Sequence, residues 1–270
     1  GKTYSILEFG RTCYENVAYF NFETNPKLNE TFEENISPDY LIPILSHIAG
    51  QTIVKEKTLI VFDEVQLCER ALTSLKYFCE DAPDYHIIVA GSLLGVAVNR
   101  AKFSFPVGKV DMKTLYPMDM EEFMVACGES ALVEQIKKCF AEDKPLPSAL
   151  HDAAMQLYRQ YLIVGGMPEC VMQFVETKDY ILVRHTQDTI LASYLNDMSK
   201  YNNLNEIKKT RLAYDNITVQ LSKKNTRFQY KLIKKGGRAS EFENAIEWLC
   251  LSGIVSQVYK VEQVKKPLEN

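Results

Sequence analysis

Short apolar runs alternate with longer amphipathic stretches along the first hundred residues of the chain. The runs TLIVFDEVQ (58–66) and HIIVAGS (86–92) are apolar without alternation, which is the pattern of strands covered by helices on both faces. VAYFNFE (17–23) has the length and aromatic content of a third strand. Amphipathic stretches lie before and between these runs. The order helix, strand, helix, strand, helix, strand predicts an α/β fold with a parallel sheet flanked by helices.

Glycine and proline set the limits of the predicted helices. The first helix is predicted over 4–9 with Gly10 as its stop, and residues 24–38 are predicted to be a polar loop. The next helix follows Pro38 and is predicted to end near Gly50. After the second strand, an amphipathic helix is predicted with one apolar face formed by Leu72, Leu75 and Cys79.

Helices dominate the pattern beyond residue 100. Residues 103–124 predict a short strand, a turn and a helix entered near Pro117, and 130–165 and 176–198 read mostly as helix. A helix followed by a strand is predicted over 239–262, and together with a helix in the preceding segment this is the outline of a winged helix. The pattern therefore predicts an α/β core (1–110), a helical lid or linker (111–199) and a winged-helix-like domain (200–270).

The stretch GGMPE (165–169) interrupts the helical pattern. Two adjacent glycines allow positive φ, and a proline restricts the residue before it to extended conformations. The stretch is therefore predicted to be a backbone bend between helices rather than a catalytic loop. It is formed by Gly165, Gly166, Met167, Pro168 and Glu169.

Composition favours a globular protein of the cytoplasm. Of the 270 residues, 46% are hydrophobic and 24% are charged, and no apolar run approaches the length of a membrane-spanning helix. No signal peptide is recognised at the start, so cytoplasmic localisation without membrane contact is expected. The seven cysteines form no CxxC pair, which disfavours zinc and favours a reducing compartment.

Charge is distributed unevenly along the chain. The net charge is −4, yet residues 200–238 contain eleven Lys or Arg and only two acidic residues. This basic segment, with its interspersed aromatic residues, predicts contact with DNA phosphates. The alternative is a solvated surface that packs against the acidic remainder or against a partner protein.

Three short motifs occur in an order that suggests phosphate chemistry. Gly1, Lys2 and Thr3 open a helix, where backbone N–H groups, an ammonium and a hydroxyl can meet phosphates and Mg²⁺. The second strand ends in Asp63 and Glu64. Asp63 is predicted to bind Mg²⁺ with Thr3, and Glu64 to activate a water.

Ser92, at the end of the next strand, is predicted to sense the γ-phosphate. Each motif alone has an ordinary interpretation, as a helix start, a buried strand ending in surface acids, and a helix cap. Their order and the spacing of about 55 residues between the first two, common in P-loop proteins, favour nucleotide hydrolysis.

The stretches GKTYSILEFG, VAYFNFE, GQTIVKEKTLIVFDEVQ and IIVAGSLLGVA resemble the uncharacterised AAA-type P-loop ATPases of bacteria and archaea. FPVGKVDMKTLYPMDMEEFM, YLIVGGMPECV and YLNDMSKY resemble the domain of unknown function that follows the ATPase core in that family. The resemblance implies that Gly1, Lys2 and Thr3 end a Walker A motif. It further implies that Asp63 and Glu64 are Walker B and Ser92 the first sensor, with ATP and Mg²⁺ as cofactors.

The resemblance also implies features that this chain lacks or changes. The first part of Walker A and a nuclease-like region after Pro267 belong to relatives, so truncation at both ends is expected and no nuclease activity is assigned. Relatives have Gly-Arg where this chain has Gly-Lys at Lys109. An arginine finger is therefore assigned to Arg100, to Lys109 or to neither, since lysine lacks the planar fork of arginine.

Three functions remain in competition at this point. The first is an Mg-dependent ATPase whose hydrolysis moves the basic, DNA-binding domain. The second is a small-molecule kinase, although no arginine-rich lid is found over 93–130. The third is a nucleotide switch or DNA-binding adaptor without hydrolysis, which Glu64 disfavours. The absence of an NKxD motif disfavours GTP, and assembly into a homo-oligomer is left open.

Overall fold

The computed structural model describes residues 1–91, 108–201, 204–224, 227–234 and 236–259. The chain forms two compact units, one from Gly1–Thr114 together with Tyr230–Asn270 and the other from Leu115–Gln229. The three-part division at residues 110 and 199 stays a prediction. No helix in the described ranges is long and apolar enough to cross a membrane.

Over the described residues, a three-stranded parallel sheet forms the centre of the first unit. The strands are β1 (Asn16–Asn21), β2 (Thr58–Asp63) and β3 (His86–Val89), in the order β1-β2-β3. Asn21 is in register with Asp63, and Phe62 with Val89. All six residues of β2 are buried, as expected for the middle strand of a sheet covered on both faces.

Helix α1 (Lys2–Cys13) covers one face of the sheet and corrects the prediction that Gly10 stops the first helix. Gly10 is a buried residue inside α1. A Cβ placed on it would lie 2.5 Å from the Cγ2 atom of Val17 and 3.1 Å from a Cδ of Leu59. The glycine is therefore needed because α1 approaches β1 and β2 too closely for a side chain, and the helix continues past it.

The opposite face of the sheet carries the main core of the first unit. Helices α2 (Lys27–Glu34), α3 (Pro38–Ala49) and α4 (Glu69–Asp81) pack there. Alternation along β2 assigns Ile60 and Phe62 to this core, while Leu59 lies on the α1 side.

Helix α2 corrects the prediction of a polar loop over 24–38. Its only apolar side chains, Leu28 and Phe32, stand four residues apart and are buried at 1% and 0% exposure. Phe32 packs edge-on against Phe62 with ring centroids 5.5 Å apart. Two apolar residues are too weak a periodic signal for a sequence argument, but the sheet supplies the surface that makes this helix stable.

Helices α3 and α4 confirm their predicted positions with one change of detail. Gly50 follows α3 in the left-handed conformation, which a glycine C-cap favours. Leu72 and Leu75 of α4 are buried as predicted, whereas Cys79 is exposed. Ala71 and Phe78 complete the buried face in its place.

Helices build the second unit. They are α5 (Met120–Ala126), α6 (Ser130–Ala141), α7 (Ser148–Val164), α8 (Pro168–Thr177), α9 (Tyr180–Tyr201) and α10 (Leu204–Leu221). One apolar cluster joins α5, the end of α7, α8 and α9 around Phe123, Phe174 and Val183. A second joins α5, α6 and α7 around Met124, Leu132 and Val133.

A close backbone contact, here termed the Met118–Gly166 clasp, joins the entry of α5 to the bend between α7 and α8. The backbone N–H of Met118 donates to the carbonyl oxygen of Gly166 at 2.7 Å, and the Tyr161 hydroxyl donates to the carbonyl oxygen of Met118 at 2.9 Å. A Cβ on Gly166 would lie 2.0 Å from that same carbonyl oxygen. The clasp thus has no space for a side chain at this position.

The predicted bend at GGMPE is confirmed. Gly165 has φ 74° and ψ −175°, a region that is essentially restricted to glycine. Met167 is extended and Pro168 is the first residue of α8. Each glycine of the pair is therefore required for a different reason, Gly165 by its dihedral angles and Gly166 by lack of space.

Helix α11 (Ala239–Leu251) follows a short 3-10 helix at Tyr230–Leu232. Its buried face includes Phe242, Trp248 and Leu249. The strand predicted after this helix is not present over the described residues 252–259, and 260–262 lie outside the described part. The winged-helix outline is therefore not shown.

Candidate functional site

The carboxyl ends of the three parallel strands meet at one edge of the sheet. The backbone N–H of Phe22 donates to the carbonyl of Asp63 at 3.1 Å, and that of Ala90 donates to the carbonyl of Phe62 at 2.8 Å. The N–H of Val65 then donates back to the carbonyl of Ala90 at 3.1 Å. These bonds fix the segments that leave the strands at the edge where open α/β sheets bind their ligands.

The start of α1 reaches this same edge. The Thr3 hydroxyl donates to Oδ2 of Asp63 at 2.8 Å, and the Lys2 ammonium donates to the carbonyl oxygen of Gly91 at 3.2 Å. Gly1 is the exposed N-cap of the helix, and the first turn of α1 contains no acidic residue. The structure thus brings Lys2 and Thr3 to the ends of β3 and β2, although 60 residues separate Thr3 from Asp63 along the chain.

Asp63 is buried at 5% exposure and its carboxylate accepts hydrogen bonds on both oxygens. Oδ2 accepts from the Tyr19 hydroxyl at 2.8 Å as well as from Thr3, and Oδ1 accepts from the backbone N–H of Glu64 at 3.0 Å. These donors replace the contacts with water that a buried carboxylate group loses. Its orientation is therefore fixed from three elements of the fold.

The sequence argument did not identify Tyr19 and Asn21. The Asn21 side-chain amide donates to the Tyr19 hydroxyl at 3.2 Å, and its carbonyl oxygen accepts from the N–H groups of Glu23 and Thr24 at 2.9 and 3.0 Å. Desolvation of the Tyr19 hydroxyl raises its pKa. The hydrogen bond from Asn21 lowers this pKa, and the hydrogen bond to Asp63 raises it. The polar groups of Tyr19 and Asn21 in VAYFNFE were the signal available in the sequence. The strand pattern alone does not distinguish these two residues from ordinary surface residues.

Glu64 adopts an unusual backbone conformation directly after β2. Its φ of 53° and ψ of 38° lie in the left-handed region, which is about 1–2 kcal/mol less favourable for a residue with a side chain. Its carboxylate oxygen Oε2 accepts a hydrogen bond from the Gln66 side-chain amide. This strained turn places a second carboxylate next to Asp63, a position where strain often accompanies function.

The oxygen atoms of Thr3 and Asp63 suit Mg²⁺. That cation binds through one or two protein oxygens and otherwise keeps water or phosphate ligands. A hydroxyl that donates to Asp63 retains lone pairs for a cation. No group of three or more His, Cys, Asp or Glu side chains able to hold a metal occurs in the described ranges.

Two protein-family models match parts of the chain. Residues 1–124 match the model of a family described as AAA domain, and residues 155–269 match a domain of unknown function, DUF8612. The chain carries an AAA domain followed by DUF8612. This confirms the predicted succession of an AAA-type domain and a domain of unknown function.

Among solved structures, the chain is similar to the Walker-type ATPase PABY2304 of Pyrococcus abyssi. The two share 12% identity with a TM-score of 0.45, over 88% of this chain and 78% of that chain. A likeness at that level carries no conclusion about the function of this chain. No match was found among curated proteins.

Two further predicted residues of the AAA domain, Ser92 and Arg100, lie outside the described residues. Lys109 is described, and its ammonium pairs with the carboxylate of Glu80 on α4 at 3.2 Å. Both side chains are partly exposed, so this ion pair is weak. The structure therefore gives Lys109 a local partner, and the identity of an arginine finger stays open.

Proposed function

We propose that this chain binds ATP with Mg²⁺ and hydrolyses it at the carboxyl edge of its sheet. The proposal depends on the 2.8 Å hydrogen bond between Thr3 and Asp63, which joins the start of α1 to the end of β2. A helix N-terminus, an ammonium, a hydroxyl and a buried carboxylate then share one sheet edge, and this combination suits a triphosphate with its cation. The match to an AAA domain supports the same class of ligand.

Phosphate binding is assigned to the first turn of α1. The unpaired N–H groups and the positive end of this 12-residue helix attract anions, and Gly1 leaves its backbone open to a ligand. Lys2 adds a cation that now contacts the carbonyl of Gly91. In the proposal this ammonium exchanges a neutral carbonyl for the charged phosphate oxygens of ATP, which are better acceptors.

Thr3 and Asp63 are assigned to hold Mg²⁺, and Glu64 to accept the proton of the attacking water. When bound, the cation neutralises charge on the phosphate oxygens. Asp63 is already bonded to Thr3 and to the Glu64 backbone, so it is suited to orienting rather than to proton transfer. Glu64 carries the second carboxylate at the same turn, and Ser92 keeps its assignment as γ-phosphate sensor within the proposal.

The test is phosphate release from ATP by the full-length protein. Lys2→Ala is expected to weaken ATP binding, because the cation facing the phosphates is lost. Glu64→Gln is expected to keep ATP binding and to slow release by about 10²–10⁴-fold, the usual contribution of a general base. Binding is followed with a fluorescent ATP analogue and release with a coupled phosphate assay.

Matched control variants lie at the opposite edge of the same sheet. Glu56 precedes β2 and shares the left-handed conformation of Glu64, with φ 58° against 53°. Lys55 is a neighbouring lysine paired with Asp84. Glu56→Gln and Lys55→Ala are expected to leave binding and release unchanged. Absence of ATP binding in the wild type, or release that does not depend on Glu64, contradicts the proposal.

The other two candidate functions give different outcomes in the same assays. A kinase transfers phosphate to an added small-molecule acceptor without releasing it, and a switch retains ATP without turnover. Either result replaces hydrolysis as the function of the site.

The basic segment 200–238 extends the proposal to DNA. Its exposed cations include Lys208 and Arg211 on α10, followed by Lys223 and Lys224. Such a surface supports salt-sensitive contact with DNA phosphates. Movement of this basic segment during the ATPase cycle belongs to the same proposal. DNA that changes the rate of phosphate release supports this coupling, and an unchanged rate with and without DNA removes it.

A further inference from the structure

The Asp63 carboxylate accepts two hydroxyl donors on the same oxygen atom. Both the Thr3 and the Tyr19 hydroxyls lie 2.8 Å from Oδ2. Thr3 is part of the GKT motif, whereas Tyr19 lies in the predicted strand VAYFNFE and has no assigned role there. The second donor therefore requires an explanation of its own.

Strand pairing explains how Tyr19 reaches Asp63. Asn21 is directly opposite Asp63 in the register of β1 and β2, and Tyr19 is opposite Val61, two residues earlier. Tyr19 and Asp63 are therefore diagonal neighbours on one face of the sheet, a separation that a long aromatic side chain spans. This is the α1 face, since alternating Ala18 and Phe20 are in the core on the other side.

We propose that Tyr19 is a positioning residue for the cation-binding carboxylate of Asp63, and that Asn21 holds Tyr19 in place. The proposal rests on the proposed nucleotide function and assigns it two further residues. Asn21 fixes the turn after β1 through its carbonyl oxygen and orients the Tyr19 hydroxyl through its amide. The hydroxyl then donates to Asp63 from β1, while Thr3 donates from α1.

The distribution of donors shows what this positioning achieves. A carboxylate oxygen has two lone pairs, and the two hydroxyls use both of those on Oδ2. Within the described part of the chain, Oδ1 accepts one hydrogen bond, from the backbone N–H of Glu64. Tyr19 and Thr3 therefore leave Oδ1 as the oxygen with capacity for a cation or its bound water, and they prevent rotation of the carboxylate.

The test measures cation affinity separately from nucleotide affinity. A fluorescent, non-hydrolysable ATP analogue is first bound to the full-length protein in EDTA. In a second sample without EDTA, Mn²⁺ is titrated into the complex of protein and analogue, and free Mn²⁺ is followed by electron paramagnetic resonance. Tyr19→Phe is expected to weaken Mn²⁺ binding by about 10–100-fold, the usual effect of losing a partner of a metal-binding carboxylate. Analogue affinity in EDTA is expected to stay within about twofold.

Tyr14→Phe is the matched control. The Tyr14 hydroxyl bonds Nδ1 of His86 at 2.9 Å, at the opposite edge of the same sheet. Its loss is expected to leave both affinities unchanged. Asn21→Ser retains a side-chain oxygen for the turn but lacks the amide that reaches Tyr19, and it is expected to weaken Mn²⁺ binding by less than Tyr19→Phe does.

The outcomes separate the two proposals. A wild type that does not bind the analogue overturns the nucleotide function itself. A wild type that binds it, with unchanged or tighter Mn²⁺ binding in Tyr19→Phe, overturns the positioning role alone. If Tyr19→Phe weakens Mn²⁺ binding and analogue binding equally, Tyr19 has a general structural role, and the positioning role is overturned as well. Unchanged Mn²⁺ binding in Asn21→Ser removes Asn21 from the proposal.

Discussion

The polar contacts at the ends of the strands differ in kind from those of the Met118–Gly166 clasp. At the strand ends, one set of hydrogen bonds joins side chains to side chains: Thr3 and Tyr19 donate to Asp63, and Asn21 donates to Tyr19. In the clasp, the acceptors are backbone carbonyls, namely those of Gly166 and Met118. Both regions lie in stretches that carry a family resemblance, so motifs alone do not separate them.

The difference shows how to distinguish a reactive site from an architectural contact. Polar side chains that bond to one another across distant segments can exchange those bonds for a ligand. Backbone groups that bond to one another, with no space for a Cβ at Gly166, are already fully used in holding the chain. Substitutions in the clasp should therefore change stability, and substitutions at the strand ends should change ligand binding.

The largest expected effect in this comparison is that of Gly166→Ala. The new Cβ would meet the Met118 carbonyl oxygen at 2.0 Å, so the backbone must move and stability should fall by about 3 kcal/mol. Urea unfolding followed by circular dichroism measures this loss. Gly165→Ala meets nothing within 4 Å and should lose less, since only its dihedral angles are unfavourable. Equal stability of Gly166→Ala and the wild type would show that the clasp is not required.

A smaller effect is expected from Tyr161→Phe, the counterpart in the clasp of Tyr19→Phe. Loss of the 2.9 Å bond to the Met118 carbonyl should lower the free energy of unfolding by about 1.5 kcal/mol, because a partly buried acceptor loses its donor. Mn²⁺ affinity of the nucleotide complex should be unchanged. Tyr161→Phe should thus lower stability without changing Mn²⁺ binding, and Tyr19→Phe should mainly weaken Mn²⁺ binding. The same pair of changes in both variants would contradict the distinction between the two regions.

The smallest effect is expected from Asp119→Ala at the entry of α5, next to the clasp. Asp119 and Glu122 form a capping box, with both bonds at 2.9 Å. Removing the cap should lower the free energy of unfolding by about 1 kcal/mol. Asp119→Asn, which keeps a capping oxygen, should lose less in the same unfolding experiment. If Asp119→Ala lowers the free energy of unfolding as much as Gly166→Ala does, the helix cap rather than the clasp stabilises this region.

The sequence pattern alone was sufficient to predict those elements that depend mainly on residues close together in the sequence. The continuous apolar run of β2 was predicted as a doubly covered strand, and all its residues are buried. The pair Gly165-Gly166 was predicted to form a bend, and Gly50 to end a helix. Each of these depends on local composition or on a dihedral angle that few residues adopt.

Contacts between distant segments account for what the pattern missed. The sequence pattern predicts that Gly10 ends a helix, yet Gly10 lies inside α1. A glycine is needed there because β1 and β2 approach the helix closely. Helix α2 reads as a polar loop, because its stability comes from the packing of Leu28 and Phe32 on the sheet. No sequence period indicates either feature, since the partner surface is formed by other strands.

The candidate site also combines features that the sequence predicts with features that depend on contacts between distant segments. The sequence by itself determined the types of residue, with a lysine and a threonine at a helix start and two carboxylates after a buried strand, and it supported an AAA domain. Only the tertiary structure decided that Thr3 and Tyr19 donate to one oxygen of Asp63 and that Asn21 orients Tyr19. The physical reason is that parallel pairing of β1 with β2 and packing of α1 on both strands set these distances, and neither is encoded in the spacing of residues along the chain.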